Sequence, residues 1–177
     1  MKSATLFIFS GLPATGKTTL AKRLAAHMGA VYLRIDTVEQ GLRDLCNVKV
    51  QGEGYRLSYR VAADNLNIGN SVVADSCNPI DLTRTEWEQV ARDAHAPFIN
   101  IEIICSDRAE HRRRILSRTS DIPGLEHPDW EAVQNREYHG WTRDRILIDT
   151  AGSTKQDRFE NLISQINGMP PVSNVLG

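Results

Sequence analysis

Residues 11–18 read Gly-Leu-Pro-Ala-Thr-Gly-Lys-Thr and fit the pattern G-x-x-x-x-G-K-[ST]. The segment follows a short apolar run at residues 4–9 and precedes residues 19–28, whose apolar spacing predicts an amphipathic helix. A strand, a loop and a helix in this order are the context that this pattern requires. A chance glycine-rich turn at a helix start would have to reproduce all three features. The segment therefore predicts a phosphate-binding loop.

Each residue type in this loop has a physical task. Gly11 and Gly16 allow a tight turn whose backbone N–H groups point inward, and the following helix adds partial positive charge at its N-terminus. Lys17 can neutralise the β- and γ-phosphates of a nucleotide, and the Thr18 hydroxyl can ligate Mg²⁺. The predicted nucleotide-binding residues of the loop are Gly11, Ala14, Thr15, Gly16, Lys17, Thr18 and Thr19.

The composition favours a single globular unit without bulk affinity for polyanions. The 177 residues are 41% hydrophobic, so we expect one domain over residues 1–168 and a C-terminal tail at 169–177. A formal net charge of −1 gives no general attraction to nucleic acid or to an anionic membrane. A polyanionic substrate would therefore need a local cluster of cations.

The sequence of the N-terminal residues and the cysteine spacing both favour a cytoplasmic location. The chain starts with a short strand pattern rather than a signal peptide, and no run reaches the roughly 18 apolar residues of a membrane span. The three cysteines, Cys46, Cys77 and Cys105, form no C-x-x-C pair. This spacing indicates reduced thiols rather than a disulfide framework or a zinc site.

Strand and helix patterns alternate along the whole chain. Further strands are predicted at residues 31–35, 71–74, 98–105 and 145–148. Further helices are predicted at residues 37–46, 55–67, 79–94, 108–118, 130–141 and 155–166. Asn78 is the predicted N-cap of the helix that starts at Pro79, and Asp107 with Glu110 predicts a capping box. The pattern predicts an α/β fold with a parallel sheet covered by helices on both faces.

Ligands of such sheets bind beyond the carboxyl ends of the strands. This rule selects the phosphate-binding loop and the residues 36, 75–78, 106–107 and 149–151. Asp36 and Asp75 therefore converge on a site whose other occupant is a triphosphate, where like charges repel unless a metal ion or a proton-accepting role compensates. As alternatives, Asp36 could only cap the helix that starts at Thr37, and Asp75 could be a turn residue.

Three segments carry a resemblance to a known family. They are the loop 11–18, the segment 72–79 followed by Arg84 and Trp87, and the helix 111–118. With them the chain resembles the adenylate-kinase-like group of P-loop kinases over about residues 5–166, although only the loop is sharply diagnostic. It is most similar to the branch that contains the polynucleotide kinase domain, chloramphenicol phosphotransferase, gluconate kinase and zeta toxins. The resemblance implies a five-stranded sheet of order 2-3-1-4-5 and a short lid.

The resemblance also implies roles for individual residues. Asp36 accepts the proton of the substrate hydroxyl, and Asp75 lies in the acceptor or metal region, where it joins Thr18 of the loop as a candidate metal ligand. Arg114 and Arg118 clamp the ATP phosphates at the entrance to the lid, for which residues 119–128 are the candidate loop. The catalytic residues implied are Asp36, Lys17, Arg114 and Arg118, and those on the acceptor side are Asp36, Asp75 and Asn78. The arginines could instead belong to a solvated helix face.

One departure concerns the acceptor. The polynucleotide kinase pattern places an arginine three residues after the catalytic aspartate, where this chain has Glu39. A polynucleotide 5′-hydroxyl acceptor is therefore disfavoured. Residues of the predicted helix 55–67 could line the acceptor site, although the two tyrosines fit a core stripe equally well; the candidates are Tyr55, Arg56, Tyr59 and Arg60.

Together these features predict an ATP- and Mg²⁺-dependent kinase that phosphorylates a hydroxyl of a small molecule such as a metabolite, nucleoside or antibiotic. The main alternative is a nucleotide hydrolase or switch. A GTPase would show Asp-x-x-Gly and Asn-Lys-x-Asp, and a motor ATPase commonly has Glu after the strand aspartate, but here Ser76 follows Asp75. A third reading is a nucleotide-binding module without catalysis. This third reading would leave Asp36 and the two arginines without a task.

Overall fold

The computed structural model describes residues 4–169. Its strands are β1 (Leu6–Ser10), β2 (Val31–Arg34), β3 (Val72–Asp75), β4 (Phe98–Ile104) and β5 (Ile146–Asp149). Its helices are α1 (Lys17–Met28), α2 (Ile35–Cys46), α3 (Glu53–Asn67), α4 (Asp81–Asp93), α5 (Arg108–Leu116), α6 (Trp130–Gln134) and α7 (Lys155–Gly168). The predicted tail lies outside the described residues except for Met169. Within residues 4–169, no helix is long and apolar enough to cross a bilayer.

The five strands form one parallel sheet of order β2-β3-β1-β4-β5. Ile8 of β1 pairs with Ala74 of β3 on one side and with Asn100 of β4 on the other. The predicted fold class and strand order are therefore confirmed. The direction of the strand order reverses at β1, so the loop that follows β1 lies at the topological switch point, where such sheets bind their ligands.

The hydrophobic core lies on both faces of the sheet because successive side chains of β1 point to opposite sides. Phe7 and Phe9 pack in one cluster with Leu24 of α1 and Leu162 of α7. Leu6 and Ile8 pack in a second cluster with Ala62 of α3 and Trp87 of α4. The central strand is thus buried on both faces, which fixes the end of β1 beneath the phosphate-binding loop.

Two helix starts differ from the prediction. Helix α4 begins at Asp81 rather than Pro79, with Ile80 at the N-cap position. Asn78 adopts a left-handed conformation with φ 45°, so it belongs to the turn before the helix. Asp107 does cap α5, since its carboxylate accepts hydrogen bonds from the N–H groups of Ala109 and Glu110. The predicted capping box does not form. The Glu110 carboxylate instead accepts hydrogen bonds from the Arg114 guanidinium and from the N–H of Gly152.

The helix predicted at residues 130–141 is the largest error. Helix α6 ends at Gln134, and the following segment is held by Arg84, whose side chain is fully buried. The Arg84 guanidinium donates hydrogen bonds to the carbonyls of His139, at 2.9 Å, and Gly140, at 3.2 Å, and stacks 4.1 Å above the ring of Trp141. The N–H of His139 also donates a hydrogen bond of 2.7 Å to the carbonyl of Pro79, whereas a continued helix would direct this N–H to the carbonyl four residues earlier.

Candidate active site

The loop after β1 is pressed against the end of β4. Gly11 has φ 142°, and a Cβ atom at this position would lie 2.3 Å from the carbonyl oxygen of Ile103. Its N–H donates a hydrogen bond of 3.0 Å to the carbonyl of Cys77, which follows β3. Gly16 has φ 97° at the position before α1. Glycine is therefore required both for its conformation and for the close approach of neighbouring backbone.

A cavity of about 640 Å³ lies over this loop. Of the predicted nucleotide-binding residues, those that line it are Gly11, Ala14, Gly16, Lys17, Thr18, Thr19, Arg114 and Arg118. Thr15 is almost completely buried, and its carbonyl accepts hydrogen bonds from Arg114 and Thr150. Thr15 thus shapes the loop from beneath rather than lining the cavity. Its side chain also donates to the carbonyl of Leu12, at 3.0 Å.

Lys17 and Asp75 form a buried ion pair at the base of the cavity. The Lys17 Nζ lies 3.1 Å from Asp75 Oδ1, and the side chains are 12% and 1% exposed. The Tyr32 hydroxyl donates a hydrogen bond of 2.7 Å to Asp75 Oδ2. Burial by itself would raise the pKa of Asp75, but the Lys17 charge and the hydrogen bonds from Tyr32 and Thr18 outweigh it, so the pKa falls below its usual value. Asp75 is therefore a carboxylate at neutral pH.

The predicted metal ligands are adjacent. The Thr18 side chain lies close enough to the Asp75 carboxylate to contribute to its lowered pKa. A hydroxyl and a carboxylate are hard oxygen donors, and Mg²⁺ in proteins typically takes one or two carboxylates together with the phosphate oxygens of a substrate. The donor set of Thr18 and Asp75 fits a magnesium ion that is shared with a nucleotide.

Asp36 lies inside the first turn of α2, because the helix begins at Ile35 and its N-cap position is Arg34. The alternative of a cap for a helix that starts at Thr37 is therefore wrong. The Asp36 side chain is 45% exposed, and its carboxylate is 3.8 Å from the Arg34 guanidinium. Asp36 lines the cavity over the phosphate-binding loop, opposite the loop that carries Lys17.

A second cavity of about 510 Å³ adjoins the first on the side of α2 and α3. Asp36, Glu39, Cys77 and Arg136 line both cavities. Tyr55 and Arg56 line only the second, whereas Tyr59 and Arg60 line neither. The shared residues mark the boundary between the space over the phosphate-binding loop and the space over the adjoining helices. We refer to the first space as the phosphate cavity and to the second as the acceptor cavity.

Asn78 does not line either cavity, and its side chain is fully buried. Its amide group donates hydrogen bonds to the carbonyl of Phe9, at 2.9 Å, and to the Ser10 hydroxyl, at 3.2 Å. Its own N–H donates to the Tyr55 hydroxyl, at 3.2 Å. The position of Asn78 therefore fits a residue that ties the end of β1 to the acceptor side, not one that contacts an acceptor.

The two predicted clamp arginines are in different situations. Arg114 is fastened to the loop after β5, where it donates to the Thr150 hydroxyl at 2.7 Å and the Thr150 carbonyl at 2.8 Å. It also contacts Glu110 on its own helix. Arg118 lies beyond the end of α5, and within residues 4–169 its side chain forms no hydrogen bond or ion pair. Arg118 thus has an unoccupied guanidinium that faces the phosphate cavity.

The segment predicted as a lid contributes to the wall of the phosphate cavity through Leu125 and His127. Asp121 attaches this loop to the sheet, with its carboxylate 2.8 Å from the Arg34 guanidinium and 2.6 Å from the Lys22 ammonium. Hydrogen bonds from Lys22 and Arg34 hold the pKa of Asp121 well below its usual range. The Arg34 side chain is 5% exposed, so Asp121 supplies the counter-charge of a buried cation.

Sequence reasoning missed Arg136 and Asp121. Arg136 follows α6 in a segment that was expected to be helical, and its Nη1 donates to Cys77 Sγ at 3.4 Å. Asp121 was expected only as part of a polar loop. No local pattern identifies either residue, since each is brought to the site by contacts between segments that lie far apart in the sequence.

Comparison with known proteins agrees with this architecture. A family described as AAA domain matches residues 6–132. A search of curated proteins gives no match. A candidate kinase from Chloroflexus aurantiacus j-10-fl is 24% identical, with a TM-score of 0.70 over 94% of this chain and 98% of that chain.

Two further structures bear nucleotides. Mycobacterium tuberculosis APS kinase CysC, in complex with AMPPNP and APS, is 17% identical with a TM-score of 0.66 over 94% of this chain and 99% of that one. Chaetomium thermophilum Kti12, in complex with ADP-AlF3, is 20% identical with a TM-score of 0.68 over 94% of this chain and 100% of that one. At these identities the likeness shows the fold alone. The family match, which spans more than half of the chain, shows that the chain belongs to the AAA domain family.

Proposed function

We propose that the protein is a phosphotransferase that moves the γ-phosphate of ATP to a hydroxyl group of a small molecule. The observation that carries this proposal is the position of Asp36, which lines both the phosphate cavity and the acceptor cavity. A carboxylate at the boundary between two cavities is where a transfer reaction needs a proton acceptor. The fold similarity to an APS kinase and to a candidate kinase supports the same reading.

The phosphate cavity supplies the charges for a triphosphate. Lys17 faces the β- and γ-phosphates once its ammonium group exchanges Asp75 for phosphate oxygens, and the free guanidinium of Arg118 lines the same cavity. Thr18 and Asp75 would hold a magnesium ion, which when bound offsets negative charge on the phosphate oxygens. Arg114 positions the loop by its contacts with Thr150 and Thr15.

In the proposed transfer step, Asp36 is the group that takes up the proton of the acceptor hydroxyl. The acceptor oxygen forms a bond to the γ-phosphorus while the bond from that phosphorus to the β,γ-bridging oxygen breaks, so that ADP leaves. The hydroxyl proton passes to the Asp36 carboxylate. Asp36 is half-exposed in the cavity wall, with its carboxylate 3.8 Å from the Arg34 guanidinium. It is thus a base that can accept a proton at the moment when the bond to phosphorus forms.

A hydrolase would need none of the acceptor cavity. Water requires no space of 510 Å³, and the predicted lid loop, held to the sheet through Asp121, is placed to exclude water from the phosphate cavity. The geometry therefore favours transfer to a hydroxyl compound over hydrolysis.

The experiment is a comparison of Asp36→Asn with the wild type in acceptor-dependent release of ADP, over a panel of hydroxylated metabolites, nucleosides and antibiotics. We expect transfer to fall by roughly 10²–10⁴-fold, the usual contribution of a general base, while ATP affinity is retained. Asp64→Asn, an exposed aspartate of α3 outside both cavities, is the matched control and is expected to behave as wild type. Near-normal transfer by Asp36→Asn would refute the role of Asp36.

A further inference from the structure

Both apolar and charged side chains line the acceptor cavity. Its apolar side chains are Ile35, Pro79, Ile80 and Leu82. Its charged side chains are Asp36, Glu39, Arg56, Glu86 and Arg136. A volume of about 510 Å³ falls within the usual range for small-molecule sites. The charged side chains decide which small molecule fits, because a buried ligand must match the groups that the protein leaves unpaired.

Two of the acidic side chains already have partners within the protein. The Glu39 carboxylate pairs with Arg43 at 3.2 Å. The Glu86 carboxylate accepts a hydrogen bond of 3.0 Å from the Tyr59 hydroxyl. Burial raises the pKa of Glu39 although Arg43 opposes the shift. Within residues 4–169, Asp36 and Glu39 thus each have an arginine within 4 Å, whereas Glu86 has only a neutral hydroxyl as its partner and keeps an unpaired negative charge.

Arg56 and Arg136 have fewer partners within the protein than the acidic side chains do. Within the part of the chain that the structure describes, no carboxylate lies within 4 Å of the Arg56 or Arg136 guanidinium. Arg56 influences Glu53 only at longer range, and Arg136 likewise acts on Glu39 from a distance. The single hydrogen bond of the Arg136 side chain goes to Cys77 Sγ, a weak acceptor. Most of the ten N–H donors of these two groups are therefore available to a ligand.

From this imbalance we infer that the acceptor is an anion, namely a hydroxyl compound that carries a carboxylate or a phosphate ester bound by Arg56 and Arg136. The inference rests on the proposed function, since it names the acceptor class of the same site. A planar guanidinium binds carboxylate and phosphate oxygens in pairs, and two such groups in one cavity wall select for negative charge. The apolar side chains that line the same cavity accommodate the carbon skeleton of the molecule.

The positions of the two arginines give the acceptor an orientation. Arg136 shares the boundary between the cavities with Asp36, whereas Arg56 lines only the acceptor cavity. The reactive hydroxyl lies at Asp36, and the anionic group extends towards Arg56. The segment that follows the exposed Arg136 is anchored by buried Arg84 through the carbonyls of His139 and Gly140.

The first test compares matched acceptors, each hydroxy acid with its amide and each sugar phosphate with its free sugar. We expect kcat/KM for one of the anions to exceed that of its neutral counterpart by about tenfold or more. Hydroxy acids and sugar phosphates form separate arms, which distinguish the carboxylate from the phosphate ester. Equal or better transfer to the neutral compounds would overturn the inference while leaving the proposed phosphotransferase intact.

The second test uses Arg56→Gln with Arg60→Gln as its matched control, since Arg60 lies one turn along α3 and outside both cavities. We expect Arg56→Gln to raise KM for the anionic acceptor by about 10- to 100-fold without changing KM for ATP. Arg60→Gln leaves both values unchanged. An unaltered acceptor KM in Arg56→Gln would refute the assignment.

A third measurement tests the proposed anion site by binding alone, without any phosphorylation reaction. Inorganic phosphate is titrated by calorimetry into protein saturated with Mg²⁺ and AMPPNP, which occupies the phosphate cavity. We expect saturable binding that Arg56→Gln abolishes and Arg60→Gln retains, even if no hydroxyl compound were phosphorylated. Phosphate binding that is equal in both variants, or absent from the wild type, would contradict an anion site at Arg56.

Discussion

At the scale of single residues, Lys17 and Asp75 neutralise each other in the space where the nucleotide phosphates are expected. Both residues were predicted from the sequence, but their contact was not. It arises because Asp75 ends β3 beside Phe9 of β1, directly below the loop that carries Lys17. A phosphate group therefore competes with a buried carboxylate for the same ammonium group.

Replacement of Lys17 by Ala should destabilise the fold as well as weaken ATP binding. The substitution leaves the Asp75 carboxylate, 1% exposed, without its counter-ion, and breaking a buried pair in this way costs about 3–5 kcal/mol. Urea denaturation of the wild type, Lys17→Ala and the double variant Lys17→Ala/Asp75→Asn measures this free energy of unfolding. The double variant should recover most of the loss but not ATP binding.

The pH dependence of the free energy of unfolding provides a further test of the ion pair between Lys17 and Asp75. Since the folded-state pKa of Asp75 is lowered from 3.8, its contribution to stability is present above that value and disappears as the pH falls through the lower folded value. Asp75→Asn should lack this component of acid sensitivity. Equal stability of Lys17→Ala and the wild type across this range would show that the pair is not coupled to folding.

Arg114 and Arg118 should respond differently to replacement by Lys. Arg118→Lys removes a free guanidinium from the phosphate cavity, so turnover should fall about tenfold or more with little change in thermal stability. Arg114→Lys breaks the bonds to Thr150 and should lower both turnover and stability. Steady-state kinetics and thermal denaturation of both variants make the comparison. Wild-type turnover in Arg118→Lys would place Arg118 on a merely solvated face.

At the scale of elements, the lid loop depends on one buried cation. Asp121→Asn removes the negative charge that faces Arg34, whereas Lys22→Gln removes only the exposed half of the same contact. Amide hydrogen exchange in residues 119–128 should accelerate about tenfold in Asp121→Asn, because a hydrogen bond between charged groups contributes about 1.5 kcal/mol. Lys22→Gln should change exchange little, since exposed pairs contribute about 0–1 kcal/mol.

Acceptor-independent hydrolysis of ATP is the functional counterpart of this change. A loosened lid admits water, so Asp121→Asn should hydrolyse more ATP per phosphorylated acceptor than Lys22→Gln does. Equal exchange rates and equal coupling in the two variants would mean that the contact with Arg34 does not hold the lid.

The order of the elements was predictable, but several of their ends were not. Hydrophobic periodicity and the loop at residues 11–18 are local, and they fixed the strands and most helices within a few residues. Helix α6 was predicted too long because the N–H of His139 and the carbonyls of His139 and Gly140 bind Pro79 and Arg84, which lie far away in the sequence. Asp36 was placed after β2 correctly, yet helix α2 starts two residues earlier than a capping role would need.

At the scale of the whole molecule, the strand order brings the site together at one edge of the sheet. The rule for parallel sheets was enough to select the phosphate-binding loop, Asp36 and Asp75 from the sequence. It could not select Arg56 or Arg136, because α3 and the segment after α6 reach the acceptor cavity through tertiary packing. Most lining residues proposed for the phosphate cavity were thus predictable, whereas in the acceptor cavity Arg56 was only one of several candidates on its helix and Arg136 was not predicted.

The most direct measurement uses ATP that carries a label on its γ-phosphate. The protein is incubated with this ATP, Mg²⁺ and the acceptor panel, and the products that take up the label are identified. We expect one hydroxyl compound to take up label in a one-to-one ratio with ADP, and Asp36→Asn to suppress this uptake while ATP still binds. Release of all label as inorganic phosphate, at a rate that no hydroxyl compound changes, would contradict the assignment as a phosphotransferase.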